Sequence, residues 1–173
     1  MNKTISESGM SFVSDNVFHI EKSPQYAELG NRVKTVEFVR TKGEKLLFVE
    51  AKSSFPKPYN MASNQAKGNK TGEELFHKEV VDICDKFIHS LNLYSAINVG
   101  VTKDGFPSDY KPADKVTLMF ILVINGFKMS WCVEIEKALN QRIRESICMS
   151  KIWKPEVIVI NNETAAKNNI TVN

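Results

Sequence analysis

Residues 33–53 read VKTVEFVRTKGEKLLFVEAKS: two runs of β-branched and apolar residues, 33–40 and 45–53, separated by TKGE. A glycine in so short a link predicts a tight β-hairpin. Side chains alternate along a strand, so Phe48, Glu50 and Lys52 share one face and Leu47, Val49 and Ala51 the other. On the first run Val36 and Phe38 form one set, and Thr35, Glu37 and Val39 form the other. Matching apolar with apolar fixes the parity of the pairing, because a one-residue slip would turn a whole strand over. A turn at Lys42–Gly43 would set Glu37 opposite Phe48, diagonal to Glu50. A turn at Gly43–Glu44 would set Glu37 directly opposite Glu50. In both cases Glu37, Glu50 and Lys52 lie on one face.

Carboxylates gathered within a sheet repel unless a cation lies between them. Lys52 supplies part of that charge, and a divalent ion supplies more. Mg²⁺ prefers hard oxygen ligands and takes one or two carboxylates with waters and phosphate oxygens. A neighbouring lysine can orient or deprotonate a water, or neutralise charge building on a phosphate. The set therefore suits metal-dependent hydrolysis of a phosphodiester.

Outward from the hairpin, VFHIE at 17–21 reads as a short strand, and Pro24 and Gly30 bracket a helical turn. Residues 54–71 hold prolines, Gly68 and the cations Lys57, Lys67 and Lys70 without an acid. So long an irregular segment is usually functional or disordered. Apolar residues at helical spacing predict a helix over 72–93. KVTLMFILVIN, 115–125, is a continuous apolar strand of the kind buried on both faces. A second helix follows Gly126, with Trp131, Ile135, Leu139, Ile143 and Ile147 in register, and PEVIVIN at 155–161 is a last buried strand. The order strand, hairpin, helix, strand, helix, strand defines an α/β domain over 17–161 with a mixed sheet flanked by helices. Residues 1–16 are expected to form a flexible arm, and 162–173 a frayed polar tail.

An acid on one hairpin strand, an apolar strand ending in VEAKS, then a helix and a buried strand resemble the PD-(D/E)xK nuclease superfamily, which includes restriction endonucleases and Holliday-junction resolvases. The resemblance implies a restriction-endonuclease-like sheet and Mg²⁺- or Mn²⁺-dependent cleavage of DNA, RNA less so. It implies that Glu37 and Glu50 hold the metal with the backbone carbonyl of Ala51, and that Lys52 positions or activates the attacking water. The first acid here is Glu37 after Val36, where the family usually has aspartate, often after proline. The family's opening helix, often with a further glutamate, has poor material in 1–16, which leaves Glu21 or Glu28 to supply that acid. Since the superfamily includes members without activity, the alternative is a silent nuclease-like module that binds nucleic acid or a protein partner.

Composition frames these readings. The chain has 173 residues, 42% hydrophobic and 25% charged, which fits one globular domain. A net charge of +3 permits a nucleic-acid partner without demanding one. Lys57, Lys67 and Lys70 are the candidate backbone contacts, with Tyr59 able to stack on a base. Lys137, Arg142, Arg144, Lys151 and Lys154 are interspersed with acids and read as a mixed surface face. Cys84, Cys132 and Cys148 show no metal-binding spacing and are expected to be buried free thiols. His19, His77 and His89 are scattered, and phosphate-loop, GxSxG and HExxH motifs are missing. With no secretory leader and no membrane-length apolar run, a cytoplasmic location is expected.

Overall fold

The computed structural model describes residues 4–58 and 71–172. A hairpin of β1 (Thr4–Glu7) and β2 (Met10–Val13) comes first. It is followed by β3 (Val17–Phe18), a 3-10 turn over Ile20–Lys22 and α1 (Pro24–Leu29). Then come β4 (Phe38–Lys42), β5 (Lys45–Lys52), α2 (Gly72–Asn98), β6 (Thr117–Ile124) and α3 (Met129–Arg144). A π-helical segment, Cys148–Trp153, leads into β7 (Glu156–Asn161) and α4 (Asn162–Lys167). Strands β3 to β7 form a five-stranded sheet in sequence order. Its first two pairings are antiparallel and its last two parallel, so the fold is α/β with a mixed sheet.

The β4–β5 pairing sets Lys42 opposite Lys45 and Phe38 opposite Val49, so the turn is Gly43–Glu44. Gly43 has φ 57°, a left-handed conformation that favours glycine in a two-residue hairpin turn. Parallel pairing of β5 with β6 needs a long crossover, which α2 supplies. That helix starts with a capping box, in which Thr71 and Glu74 satisfy each other's backbone amides.

Two helices, α2 and α3, cover one face of the sheet, where Phe48, Phe120 and Leu122 meet Phe87 and Ile135. Phe87 stacks on Phe120 with centroids 4.7 Å apart. The opposite face carries Phe38, Val49 and Ile121, and is closed by Ile5, Met10 and Phe12 with Ala165 of α4. Both faces of β5 and β6 are thus dry, as continuous apolar runs require. Among the described residues no helix is long and apolar enough to cross a membrane.

Several expectations are corrected here. From Thr4 onward the supposed flexible arm is a β-hairpin, with Phe12 fully buried against the sheet. The Ser8–Gly9 turn has positive φ at both residues, the twist that suits a hairpin. The tail is not frayed either: α4 is capped by Asn161, whose Oδ1 accepts from the Thr164 amide, and Thr171 bridges to Phe12. Arg40 also holds the tail, donating to the Asn169 carbonyl at 2.9 Å.

β4 starts only at Phe38, because the backbone before it is tied to α2, where the Val36 amide donates to Ser90 Oγ. The 17–21 run pairs only through Val17 and Phe18 before the 3-10 turn begins. α3 ends at Arg144, which leaves Ile147 exposed, and Cys148 is exposed rather than buried. Burial raises the thiols of Cys84 and Cys132, to about 12 and about 11. Lys137 pairs with Glu134 and Arg142 with Glu145, as a mixed face would have it.

Candidate active site

Glu50 lies near the C-terminal end of β5, 1% exposed, on the face that α2 covers. A carboxylate so placed must find partners. Lys86 of α2 provides one, its Nζ 2.6 Å from Glu50 Oε1. Oε2 is buried and has no hydrogen-bond partner. Two residues further along the strand, Lys52 pairs with Glu79 of α2 at 2.7 Å. Glu79 and Lys86 are seven apart, two turns on one helix face, and Glu50 and Lys52 are two apart on one strand face. The two elements are therefore joined by two ion pairs of opposite polarity.

Glu37 sits at the bend that enters β4. The β4–β5 pairing ends at Phe38–Val49, and Glu37, one residue before it, lies within the field of Glu50. Burial raises its carboxyl most, a hydrogen bond shared with Glu21 and the field of Glu50 add to this, and it reaches about 8. A bond between two carboxyls needs a proton, and Glu37 keeps one up to that pH. Burial likewise pushes Glu50 up to about 7, with Lys86 and Lys52 opposing the rise. Burial depresses Lys86, but the attraction of Glu50 outweighs it and the net shift is upward. Both acids are protonated more readily than ordinary carboxyls chiefly because burial disfavours their charged forms, and at Glu37 neighbouring carboxylates add to this.

The Ser8–Gly9 turn of the N-terminal hairpin lies against this end of the sheet. Ser8 Oγ donates to the Ala51 carbonyl at 3.0 Å, and Asn125 Nδ2 donates to the Ser8 carbonyl at 3.3 Å. Glu7, next in the hairpin, pairs with Lys22 at 2.7 Å and adds its field to Glu37. Ser8→Ala is expected to lower stability by about 1 kcal/mol, read as a shift of the urea midpoint at unchanged slope.

Of the residues picked from sequence, Glu37 lies within the field of Glu50 and Glu50 within that of Lys52, while the Ala51 carbonyl accepts from Ser8 Oγ. Glu21 joins them through its bond to Glu37, while Glu28 lies exposed on α1. Lys57 is exposed and sits over the Trp131 ring. Tyr59, Lys67 and Lys70 lie outside the described residues. Sequence reading missed Lys86 and Glu79. Their one signal was a spacing of seven on an otherwise apolar helix face, which pays no attention to which strand the helix covers.

Donor chemistry here fits a hard divalent cation: a buried carboxylate oxygen without a hydrogen-bond partner and a second carboxyl carrying a displaceable proton, with the Ala51 carbonyl, which accepts from Ser8, next along the strand. Among the described residues no three His, Cys, Asp or Glu side chains converge into a metal-binding group. Mg²⁺ does not require three, since waters and substrate phosphate complete its shell. No protein-family model, curated protein or solved structure matches this chain. The class is defined by the fold and the site alone: an α/β domain with an acid–lysine cluster at the C-terminal ends of its parallel strands.

Proposed function

We propose that the chain is a metal-dependent nuclease with a restriction-endonuclease-like core, hydrolysing phosphodiester bonds of DNA in preference to RNA. The observation that carries this reading is Glu50, an almost fully buried carboxylate with one oxygen on Lys86 and the other without a partner. A protein core does not ordinarily leave a carboxylate oxygen unpaired, and a bound cation would pair it. The hairpin–helix–strand order of β4, β5, α2 and β6 supports the fold named here.

Glu37, Glu50 and the Ala51 carbonyl would hold Mg²⁺ or Mn²⁺. When bound, such an ion supplies Lewis-acid charge beside the scissile phosphate. Glu37, hydrogen-bonded to Glu21, would give up its proton on becoming a ligand. Lys52 is held by Glu79 at 2.7 Å. Its role is to orient the attacking water and to offset charge growing on the phosphate. The enclosed β5 end keeps these groups fixed before substrate arrives.

One observation favours a second reading, a catalytically silent nuclease-like module. Both lysines at the site already have carboxylate partners, so the cluster partly balances its own charge. Incubating the full chain with Mg²⁺ or Mn²⁺ and a panel of DNA and RNA substrates separates the two. Cleavage lost in both Glu50→Ala and Lys52→Ala supports the nuclease, and cleavage that survives both points to a contaminant. Nucleic-acid binding without cleavage, weakening as salt rises, leaves the silent module.

A further inference from the structure

Beyond the acid cluster, the same end of the sheet carries an aromatic residue ringed by cations. Trp131 stands in the first turn of α3, half-buried. Lys57 Nζ lies 5.2 Å from its ring centroid and Lys128 Nζ 5.0 Å. The two ammonium groups are thus no farther apart than the sum of those distances, although like charges repel. Lys57 follows Lys52 by five residues, which bounds their Cα separation at about 18 Å. Only a few nucleotides of strand would span that gap.

The platform is also built rather than incidental. Phe127, itself buried, meets the indole edge-on at 5.0 Å. The Phe127 carbonyl accepts from Asn161 Nδ2 at 3.0 Å, and the Gly126 amide donates to Asn162 Oδ1 at 2.9 Å. The turn that presents Lys128 and Trp131 is therefore fastened to the end of β7, and little ordering remains to be done when a ligand arrives.

We propose that Trp131, Lys57 and Lys128 form a stacking and phosphate-gripping platform for an unpaired nucleic-acid strand next to the Glu50 site. The proposal rests on the nuclease-like reading of that site and narrows its substrate class. An ammonium over an indole contributes about 0.5–1 kcal/mol when exposed. A stacked base contributes about 1–3 kcal/mol, and the displaced ammonium can move to that nucleotide's phosphate. The exchange favours the base. Duplex bases are already stacked on each other and offer the indole nothing, so the platform selects strands that are single or locally opened.

The test uses the full chain with Trp153→Phe, which leaves Trp131 as the only tryptophan, in buffer without divalent metal so that cleavage plays no part. The probes are a short oligothymidylate, a blunt duplex of equal length and polyglutamate. Oligothymidylate is expected to quench Trp131 emission and to bind at least about tenfold tighter than duplex. Trp131→Phe should keep most of that affinity. In the parent chain, which retains Trp153, Trp131→Ala should lower it about tenfold and hardly change duplex binding. Lys57→Gln with Lys128→Gln should flatten the salt dependence of log K by about 1.4, two single-strand phosphate contacts.

Unchanged oligothymidylate affinity in Trp131→Ala overturns the proposal, as does equal binding of duplex. Polyglutamate binding as tightly and quenching as strongly also overturns it, and marks a surface for acidic proteins. Platform binding without any metal-dependent cleavage would sink the nuclease alone. Cleavage that ignores both strandedness and Trp131 would sink the platform alone.

Discussion

Changing Glu50 to glutamine is expected to cut metal-dependent cleavage by about a thousandfold or more while the chain still folds. The amide keeps the size of the side chain and can still meet Lys86, but it brings no negative charge to a cation. A second readout does not depend on activity. In the metal-free protein Glu50 and Glu37 have folded-state values of about 7 and about 8 against 4.5 for the free side chain. The folded state therefore holds protons that the unfolded state has lost, and stability falls as pH rises from 4.5 through those values. A divalent ion replaces the protons and reverses the loss, so Mg²⁺ should raise the melting temperature near pH 8 and leave it unchanged near pH 4.5. Glu50→Gln should remove most of the metal response and part of the pH slope, leaving what Glu37 contributes. A glutamine variant that Mg²⁺ still stabilises fully, or that still cleaves, rules out Glu50 as a ligand.

The face shared by Glu50 and Lys52 was legible because it follows from alternation along one strand, a local property. Alternation did not hold at Glu37, which lies at the bend before β4 with Val36 packed on the α2 side of the sheet and Phe38 on the other. Structure chose between the two turns that sequence left open, placing Gly43–Glu44 at the tip. The N-terminal hairpin also had its signal, in Ile5, Met10 and Phe12 flanking Ser8–Gly9, but the polar composition of 1–16 masked it. Lys86 and Glu79 were out of reach for a different reason. Which strand residue a helix side chain meets depends on how α2 lies across the sheet, and that is set by packing such as Phe87 on Phe120. Ile147 and Cys148 were misplaced because the helical period was carried past Arg144, where α3 ends. Sequence thus held the strand half of the candidate site, and tertiary packing supplied the helix half.

That helix half yields the other large expected effect. Lys86→Met should destabilise the metal-free protein strongly at alkaline pH and little in acid. Lys86 is the ion-pair partner of Glu50, whose side chain is almost entirely shielded from water. Removing one member of a buried pair leaves the other charge uncompensated, at about 3–5 kcal/mol. The cost appears only where Glu50 would be ionised. At about pH 5 the folded protein keeps Glu50 protonated with or without Lys86, so the variant should melt close to the parent. Without the ammonium the folded-state value of Glu50 rises further, and the deficit grows with pH until that new value is passed. At about pH 9 a fall in melting temperature of about 10 °C is expected. Lys86→Arg keeps the charge and should recover much of it, limited by the fit of a larger head group. The control is Lys86→Met combined with Glu50→Gln, which removes both charges and should lose the steep pH dependence of the single change. If Lys86→Met costs the same at both ends of the pH range, its role is packing of the aliphatic stem. Glu50 would then be held by something other than the lysine, and the ionic link between β5 and α2 would not be what presents its free oxygen to the site.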